Sequence, residues 1–258
     1  MTVVAVASAK ASPGATTLSL ALAATWPRAG VGSFVIEADT DGGSLAARLG
    51  LGYEPGLVSL AAAARRGVDE GVLAAHAQRL GEDLAVVPGP PSPQQAQAAL
   101  SAVGDRLAHQ LIELVGTFII DVGRIGPGSP ALPLARAADL CLLVARPRLD
   151  EVQHVEPRLR MLEQGGCRVG LVCIGTSPYS PTEVADSVSA ELVGVVADDA
   201  KGAGLMCGGP GDDKALRRSM LWRTAGDLAS AIAVRAAELP VDGEGAAPVA
   251  VATPEVAG

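Results

Sequence analysis

Residues 3–23 read VVAVASAKASPGATTLSLALA, and this stretch decides the fold. An apolar run at residues 3–7 ends in small residues and then crosses a turn that contains Pro13 and Gly14. The Ala/Leu-rich segment after the turn has the spacing of a helix. The stretch therefore predicts a strand, a loop and a helix, in that order.

The loop in this stretch predicts an anion site. Thr16 and Thr17 lie where the helix is expected to start, so we expect their hydroxyls to cap it while the loop amides turn inward. Amides at a helix N-terminus attract phosphate groups. In the general phosphate-loop pattern G-x-x-x-x-G-K-[ST], Gly14 and Thr16 match, but Ala9 replaces the first glycine and Ala15 replaces the lysine. An ordinary turn with a threonine cap is the alternative.

Carboxylates follow two further apolar runs. Residues 33–36 form a short apolar strand that leads into the segment EAD at residues 37–39. Residues 117–120 form a second such strand, which ends in Asp121 and is followed by a glycine-rich loop. Open α/β sheets place their sites at the carboxyl ends of strands. Each acid alone is explained by a turn or a cap, but their shared order and placement favour a site.

The rest of the chain alternates strand-like and helix-like segments. We expect further strands at residues 84–87, 140–145, 169–174 and 192–196, and helices at residues 69–80, 94–114, 151–163 and 223–238. This alternation predicts an α/β three-layer sandwich, in which helices flank a mostly parallel, roughly seven-stranded sheet. Residues 1–238 are expected to form one domain. Residues 239–258 are rich in Ala, Pro and Gly without a period, which predicts a disordered tail.

The chain resembles the ParA/MinD family of P-loop ATPases over most of residues 1–238. The variant loop of that family reads K-G-G-x-G-K-[ST]-T, and residues 10–17 read K-A-S-P-G-A-T-T. Lys10 keeps the family's first lysine, which reaches across a dimer interface, whereas Ala15 lacks the lysine that grips phosphate. The segments LAVVPGPPSP and LVGVVADD make the resemblance closest to the branch that positions septa, pili and flagella.

This resemblance implies a P-loop NTPase fold that binds ATP or ADP with Mg²⁺. It implies catalytic roles for Asp39, which orients the attacking water, and for Lys10. It implies magnesium binding by Thr16, Asp39 and Asp121. The implied nucleotide-binding residues are Lys10, Ala11, Ser12, Pro13, Gly14, Ala15, Thr16, Thr17, Thr176 and Asp198.

Departures from the family pattern predict weak or absent ATP hydrolysis. Ala15 removes a cation whose charge-assisted hydrogen bonds are worth about 1.5–3 kcal/mol. Ala21 stands where many relatives carry asparagine, and residues 173–176 lack the asparagine that often reads adenine. We therefore expect a degenerate nucleotide-binding protein that acts in positioning or as an adaptor through dimerisation. A slow, active ATPase for chromosome, plasmid, septum or pilus positioning and a nucleotide-free scaffold are the alternatives.

Composition limits the expected partners. The formal net charge is −8, and the arginines at residues 65–66, 217–218 and 223 are explained by solvated helix faces, so DNA is a disfavoured partner. No apolar run is long enough to span a bilayer, and the acidic, aperiodic tail argues against membrane association. The four cysteines lack C-x-x-C spacing, which argues against a metal cluster. We expect a cytoplasmic homodimer that binds an unidentified protein partner or cargo.

Overall fold

The computed structural model describes residues 1–10, 12–27, 32–81 and 84–237, which form eight strands and twelve helices. The strands are β1 (Thr2–Ser8), β2 (Ser33–Glu37), β3 (Gln78–Leu80), β4 (Leu84–Val87), β5 (Thr117–Arg124), β6 (Leu140–Ala145), β7 (Val169–Ile174) and β8 (Leu192–Val196). The helices are α1 (Ala15–Thr25), α2 (Leu45–Leu49), α3 (Leu57–Ala64), α4 (Glu70–His76), α5 (Pro93–Leu111), α6 (Leu132–Ala137), α7 (Leu149–Val152), α8 (Val155–Gln164), α9 (Pro181–Ser187), α10 (Ala200–Met206), α11 (Asp213–Arg217) and α12 (Met220–Ala237).

The strands form one sheet in the order β3-β4-β2-β5-β1-β6-β7-β8. All neighbouring strands are parallel except β3 and β4. The predicted α/β architecture with a mostly parallel sheet is therefore confirmed. The sheet has one strand more than expected because Gln78–Leu80 pairs antiparallel with β4 at the edge. For the same reason, the helix predicted over residues 69–80 ends at His76.

Strand β1 lies at the centre of the sheet and is buried on both faces. Val4 and Val6 pack into one apolar cluster, which includes Leu18 of α1 and Leu228 of α12. The other cluster contains Val3, Ala5 and Ala7 of β1 together with residues of α5 and α6. This alternation follows from the two-residue period of a strand. The helices on both faces make the three layers.

Some element boundaries differ from the expectation. The helix predicted over residues 151–163 is interrupted, so that α7 ends at Val152 and α8 begins at Val155. Strand β5 continues to Arg124, which places Asp121 inside the strand rather than at its end. The short helices α6, α9, α10 and α11 were not predicted, because each has only five to seven residues. The predicted tail at residues 239–258 lies outside the described residues.

Within the described ranges, no helix is long and apolar enough to span a bilayer. All four cysteines are free thiols. Cys141, Cys167 and Cys173 are buried, which agrees with their position in or beside apolar strands, and Cys207 is half-buried.

Candidate functional site

A cavity of about 420 Å³ lies at the carboxyl ends of the central strands. The loop between β1 and α1 contributes residues 12–14, and α1 itself contributes residues 15–18. The remaining lining comes from the last residues of β1, β5, β7 and β8, from the segments that follow β2, β6 and β8, and from residues of α2, α10 and α12. These segments meet because parallel strands bring their carboxyl ends to one edge of the sheet.

Helix α1 presents its amino end to this cavity. Its N-cap is Gly14, which is left-handed (φ 111°), and no side chain caps the helix. The expected threonine cap is therefore absent: Thr17 Oγ1 lies 3.5 Å from Cys207 Sγ, and the Thr16 hydroxyl interacts with Asp121. Because the first amides of a helix have no partner within the helix, this end carries a partial positive charge.

The structure brings most of the sequence-predicted binding residues together. Those that line the cavity are Ser12, Pro13, Gly14, Ala15, Thr16, Thr17, Asp39 and Asp198. Lys10 is exposed and does not line it. Thr176 lines a neighbouring groove of about 540 Å³, which shares Arg146, Ile174 and Asp198 with the cavity. Ala11 lies outside the described residues.

Asp121 is fully buried next to Thr16. Its Oδ1 accepts a hydrogen bond from the Gly123 backbone N–H at 3.2 Å, and its Oδ2 has no hydrogen-bond partner among the described residues. Burial raises the pKa of Asp121 to about 7; the Thr16 hydroxyl opposes this shift, and the charges of Glu37 and Asp39 add to it. Burial therefore favours the protonated form of this carboxyl unless a cation lies beside it.

The oxygen atoms at this position fit a magnesium ion. The unpartnered carboxylate oxygen of Asp121 and the Thr16 hydroxyl are ligands of the kind that Mg²⁺ takes. The described part of the chain contains no group of three or more histidine, cysteine, aspartate or glutamate side chains arranged for a metal. Mg²⁺ commonly takes one or two carboxylates and completes its shell with phosphate and water.

Asp39 lies against the backbone of Gly123, two residues after Asp121 on β5. A Cβ at Gly123 would lie 2.1 Å from Asp39 Cγ, and Gly123 is left-handed (φ 61°). Asp39 is half-buried, and its Oδ1 accepts a hydrogen bond from the Asp41 backbone N–H at 2.9 Å. Burial raises its pKa, and the Asp41 hydrogen bond and the Arg124 charge oppose that shift. Asp39 is therefore placed to contact a ligand in the cavity.

Glu37 is buried and has a structural role. Its Oε1 accepts hydrogen bonds from the backbone N–H groups of Ser44 (2.6 Å) and Leu45 (3.0 Å), and its Oε2 accepts one from Gly89 (2.9 Å). Burial raises its pKa, and these hydrogen bonds oppose the shift. The carboxylate thus ties the end of β2 to the start of α2 and to the loop after β4. Gly43 lies against this carboxylate, since a Cβ there would be 2.5 Å from Glu37 Oε2.

Three arginines that the sequence patterns did not single out also line the cavity: Arg48, Arg124 and Arg146. Arg124 Nη1 lies 3.7 Å from Asp41 Oδ2. Arg48 Nη1 lies 3.6 Å from Cys207 Sγ. For Arg146 a signal was present, because it follows directly after the fully buried strand β6. The cavity therefore contains cations as well as carboxylates.

The comparisons with known proteins identify the fold. No protein-family model matches the chain, and no curated protein sequence matches it. A ParA family ATPase from Chlorobium tepidum TLS matches with a TM-score of 0.75 and 18% identity, covering 89% of this chain and 97% of that one. The cell division ATPase MinD from Pyrococcus furiosus matches with a TM-score of 0.73 and 17% identity, covering 91% and 99%.

A third solved structure adds a ligand to the comparison. The septum site-determining protein MinD from Pyrococcus horikoshii OT3, complexed with Mg-ADP, matches with a TM-score of 0.71 and 17% identity, covering 91% of this chain and 97% of that one. These likenesses confirm the predicted fold: the chain has the P-loop fold of ParA and MinD ATPases.

Proposed function

We propose that the chain is a nucleotide-binding protein that acts in spatial positioning or as an adaptor through a homodimer, with weak or absent ATP hydrolysis. The observation that carries the proposal is a cavity that Thr16 and Asp39 line, with the buried Asp121 beside Thr16 and with Ala15 in place of lysine in its phosphate loop. A cytoplasmic location and an unidentified protein partner or cargo belong to the same proposal.

The phosphate chain of ATP or ADP fits the amino end of α1. The uncapped amides after Gly14 attract phosphate oxygens, and residues 12–17 surround the same space. Thr16 and Asp121 would hold Mg²⁺, with Asp39 nearby. Mg²⁺, when bound, neutralises charge on the phosphates. Ala15 supplies no cation, which supports weak hydrolysis rather than the absence of binding.

The nucleoside fits the adjoining groove. Thr176 and Asp198 line this groove, and Asp198 also lines the cavity, so the two spaces are continuous. Thr176 is exposed and offers a hydroxyl as a hydrogen-bond donor or acceptor. This continuity supports one ligand with a phosphate end and a polar end.

Nucleotide binding is tested by thermal unfolding of the full chain with ATP or ADP, with and without Mg²⁺. A ligand that prefers the folded state stabilises it by about 2.7 kcal/mol at a concentration of 100 times its Kd, so the midpoint is expected to rise with both nucleotides. In Thr16→Ala, Mg²⁺ is expected to add nothing to the rise in the unfolding midpoint that the nucleotide causes. Thr25→Ala is the matched control, because Thr25 lies at the other end of α1 and its hydroxyl donates a hydrogen bond to the Ala21 carbonyl oxygen. No rise with either nucleotide contradicts the proposal and favours the scaffold.

A slow ATPase is the second candidate, and the position of Asp39 beside Asp121 favours it. Phosphate release distinguishes it from the first. We expect the wild type to release phosphate no faster than Asp39→Ala does. Ala15→Lys is expected to raise the rate, by about 10²- to 10³-fold where the transition state uses the restored cation. Release by the wild type well above that of Asp39→Ala favours the slow ATPase.

A further inference from the structure

Ala15 leaves the phosphate loop without its own cation, but a guanidinium from elsewhere in the chain reaches the loop. Arg146 follows directly after β6, the strand that neighbours β1 in the sheet. Its Nη1 donates a hydrogen bond of 3.2 Å to the carbonyl oxygen of Ser12. The side chain is 31% exposed and lines the cavity. The positive charge is thus attached to the loop itself.

Two carboxylates hold Arg146 in this position. Glu151, whose side chain is only 7% exposed, accepts a hydrogen bond from the Arg146 backbone N–H through Oε2 at 2.8 Å. Its Oε1 lies 3.8 Å from Arg146 Nη1, and Asp198 Oδ2 lies 3.9 Å from Arg146 Nε. Both of the latter contacts are ion pairs at distances too long for hydrogen bonds. The guanidinium is therefore oriented, but its N–H groups are not saturated by these two acids.

The other arginines of the cavity are placed differently. Arg124 pairs with Asp41, next to Asp39, and Arg48 contacts the Cys207 thiol. The hydrogen bond to Ser12 ties the Arg146 guanidinium to the phosphate loop. This contact lies on the β6 side of β1, whereas Asp121 lies on β5, the strand on the other side of β1.

We propose that Arg146 replaces the missing loop lysine and binds the phosphate chain of the nucleotide. This inference rests on the proposed nucleotide binding. A guanidinium presents several N–H donors in a plane and binds phosphate oxygens in pairs. The Ser12 carbonyl and Glu151 keep it in place before the ligand arrives, which reduces the entropy lost on binding. Asp198 competes with the phosphates for the same guanidinium.

The test is calorimetric titration of the full chain with Mg-ATP, Mg-ADP and adenosine. Arg146→Ala is expected to weaken ATP and ADP by about 10- to 100-fold, the size of a charge-assisted hydrogen bond, and to leave adenosine unchanged. Arg146→Gln keeps a polar side chain with N–H donors but removes the positive charge, so it is expected to show the same loss. Arg160→Ala is the control, because Arg160 is exposed on α8 and pairs with Glu156. It is expected to bind like the wild type.

A double substitution tests whether the Arg146 guanidinium and a lysine at position 15 have the same role in phosphate binding. We expect Ala15→Lys to strengthen ATP binding more in the Arg146→Ala background than in the wild type, because two groups with one role are not additive. Equal gains in the two backgrounds overturn the replacement.

The outcomes separate this inference from the proposed function. A wild type that binds neither ATP nor ADP overturns both. Tight binding by the wild type, with unchanged ATP affinity in Arg146→Gln, overturns only the role of Arg146. An equal loss of adenosine affinity in Arg146→Ala also overturns the role of Arg146. In that case the guanidinium shapes the site without contacting phosphate.

Discussion

Gly123 is the residue whose lack of a side chain allows the Asp39 carboxylate to lie against strand β5. We expect Gly123→Ala to lower the free energy of unfolding by about 2–4 kcal/mol, because the backbone is left-handed and the new Cβ would overlap the Asp39 carboxylate. Gly128→Ala is the matched control: it has a similar φ (74°) and no atom within 4 Å of its Cβ position. Its cost is expected to be about 1–2 kcal/mol. Urea unfolding measures both, and equal losses contradict the close approach.

Asp121 is expected to make stability depend on pH. Burial raises its pKa from 3.8 to about 7, so between these values the folded chain keeps a proton that the unfolded chain releases. The stability that this protonated carboxyl contributes is fully present below its unfolded pKa and is lost as the pH rises through about 7. Asp121→Asn cannot ionise and is therefore expected to melt above the wild type at pH 8, with a smaller difference at pH 5. Thermal melts in magnesium-free buffer check this, and a difference that does not change with pH contradicts it.

At the scale of elements, Asp199 joins two helices at the edge of the cavity. Its Oδ1 accepts the Gly202 N–H at the start of α10, and its Oδ2 accepts the N–H groups of Met220 and Leu221 at the start of α12. The Gly202 hydrogen bond is the main cause that lowers the pKa of Asp199, and partial burial opposes it. The stability that this carboxylate contributes is therefore present above its unfolded pKa and lost as the pH falls through its lowered folded pKa.

We expect Asp199→Ala to lower the free energy of unfolding at pH 7 by about 1–3 kcal/mol, since it removes the caps of two helices. Asp212→Ala is the control, because Asp212 caps α11 alone, through the Ala215 N–H at 2.7 Å. Its cost is expected to be about 1 kcal/mol. Urea unfolding at pH 7 compares the two. A cost for Asp199→Ala no greater than that of Asp212→Ala is evidence against the double cap.

For the whole molecule, the position of Lys10 bears on the proposed homodimer. Lys10 is exposed and does not line the cavity of its own chain, which leaves it available to a second copy. We expect Mg-ATP to promote dimerisation and Lys10→Ala to weaken the ATP-bound dimer by about 10-fold or more, the loss of one charge-assisted hydrogen bond. Sedimentation measures the dimer dissociation constant, with the exposed Lys214→Ala as control. The same constant for Lys10→Ala and Lys214→Ala contradicts a role in the interface.

Local patterns were sufficient for the order of the main elements and for part of the site. The apolar run, turn and Ala/Leu-rich segment at residues 3–23 specify β1, the loop and α1 through periods of two and 3.6 residues. Parallel strands bring their carboxyl ends together whatever the details of packing, so Thr16, Asp39 and Asp121 were expected to meet. Sequence alone therefore determined the fold class and the acidic side of the cavity.

Only the tertiary structure decided what each polar group contacts. Arg146 and Ser12 are 134 residues apart, and Glu37 and Gly89 are 52 residues apart, so no local period links them. The order of the strands in the sheet determines these contacts. It also determines the burial that raises the pKa of Asp121. The side-chain period marks which face of a strand is buried, but it does not specify the strand's partner. For this reason the sequence predicted where the carboxylates lie, whereas the contact of Arg146 with the phosphate loop could be found only in the structure.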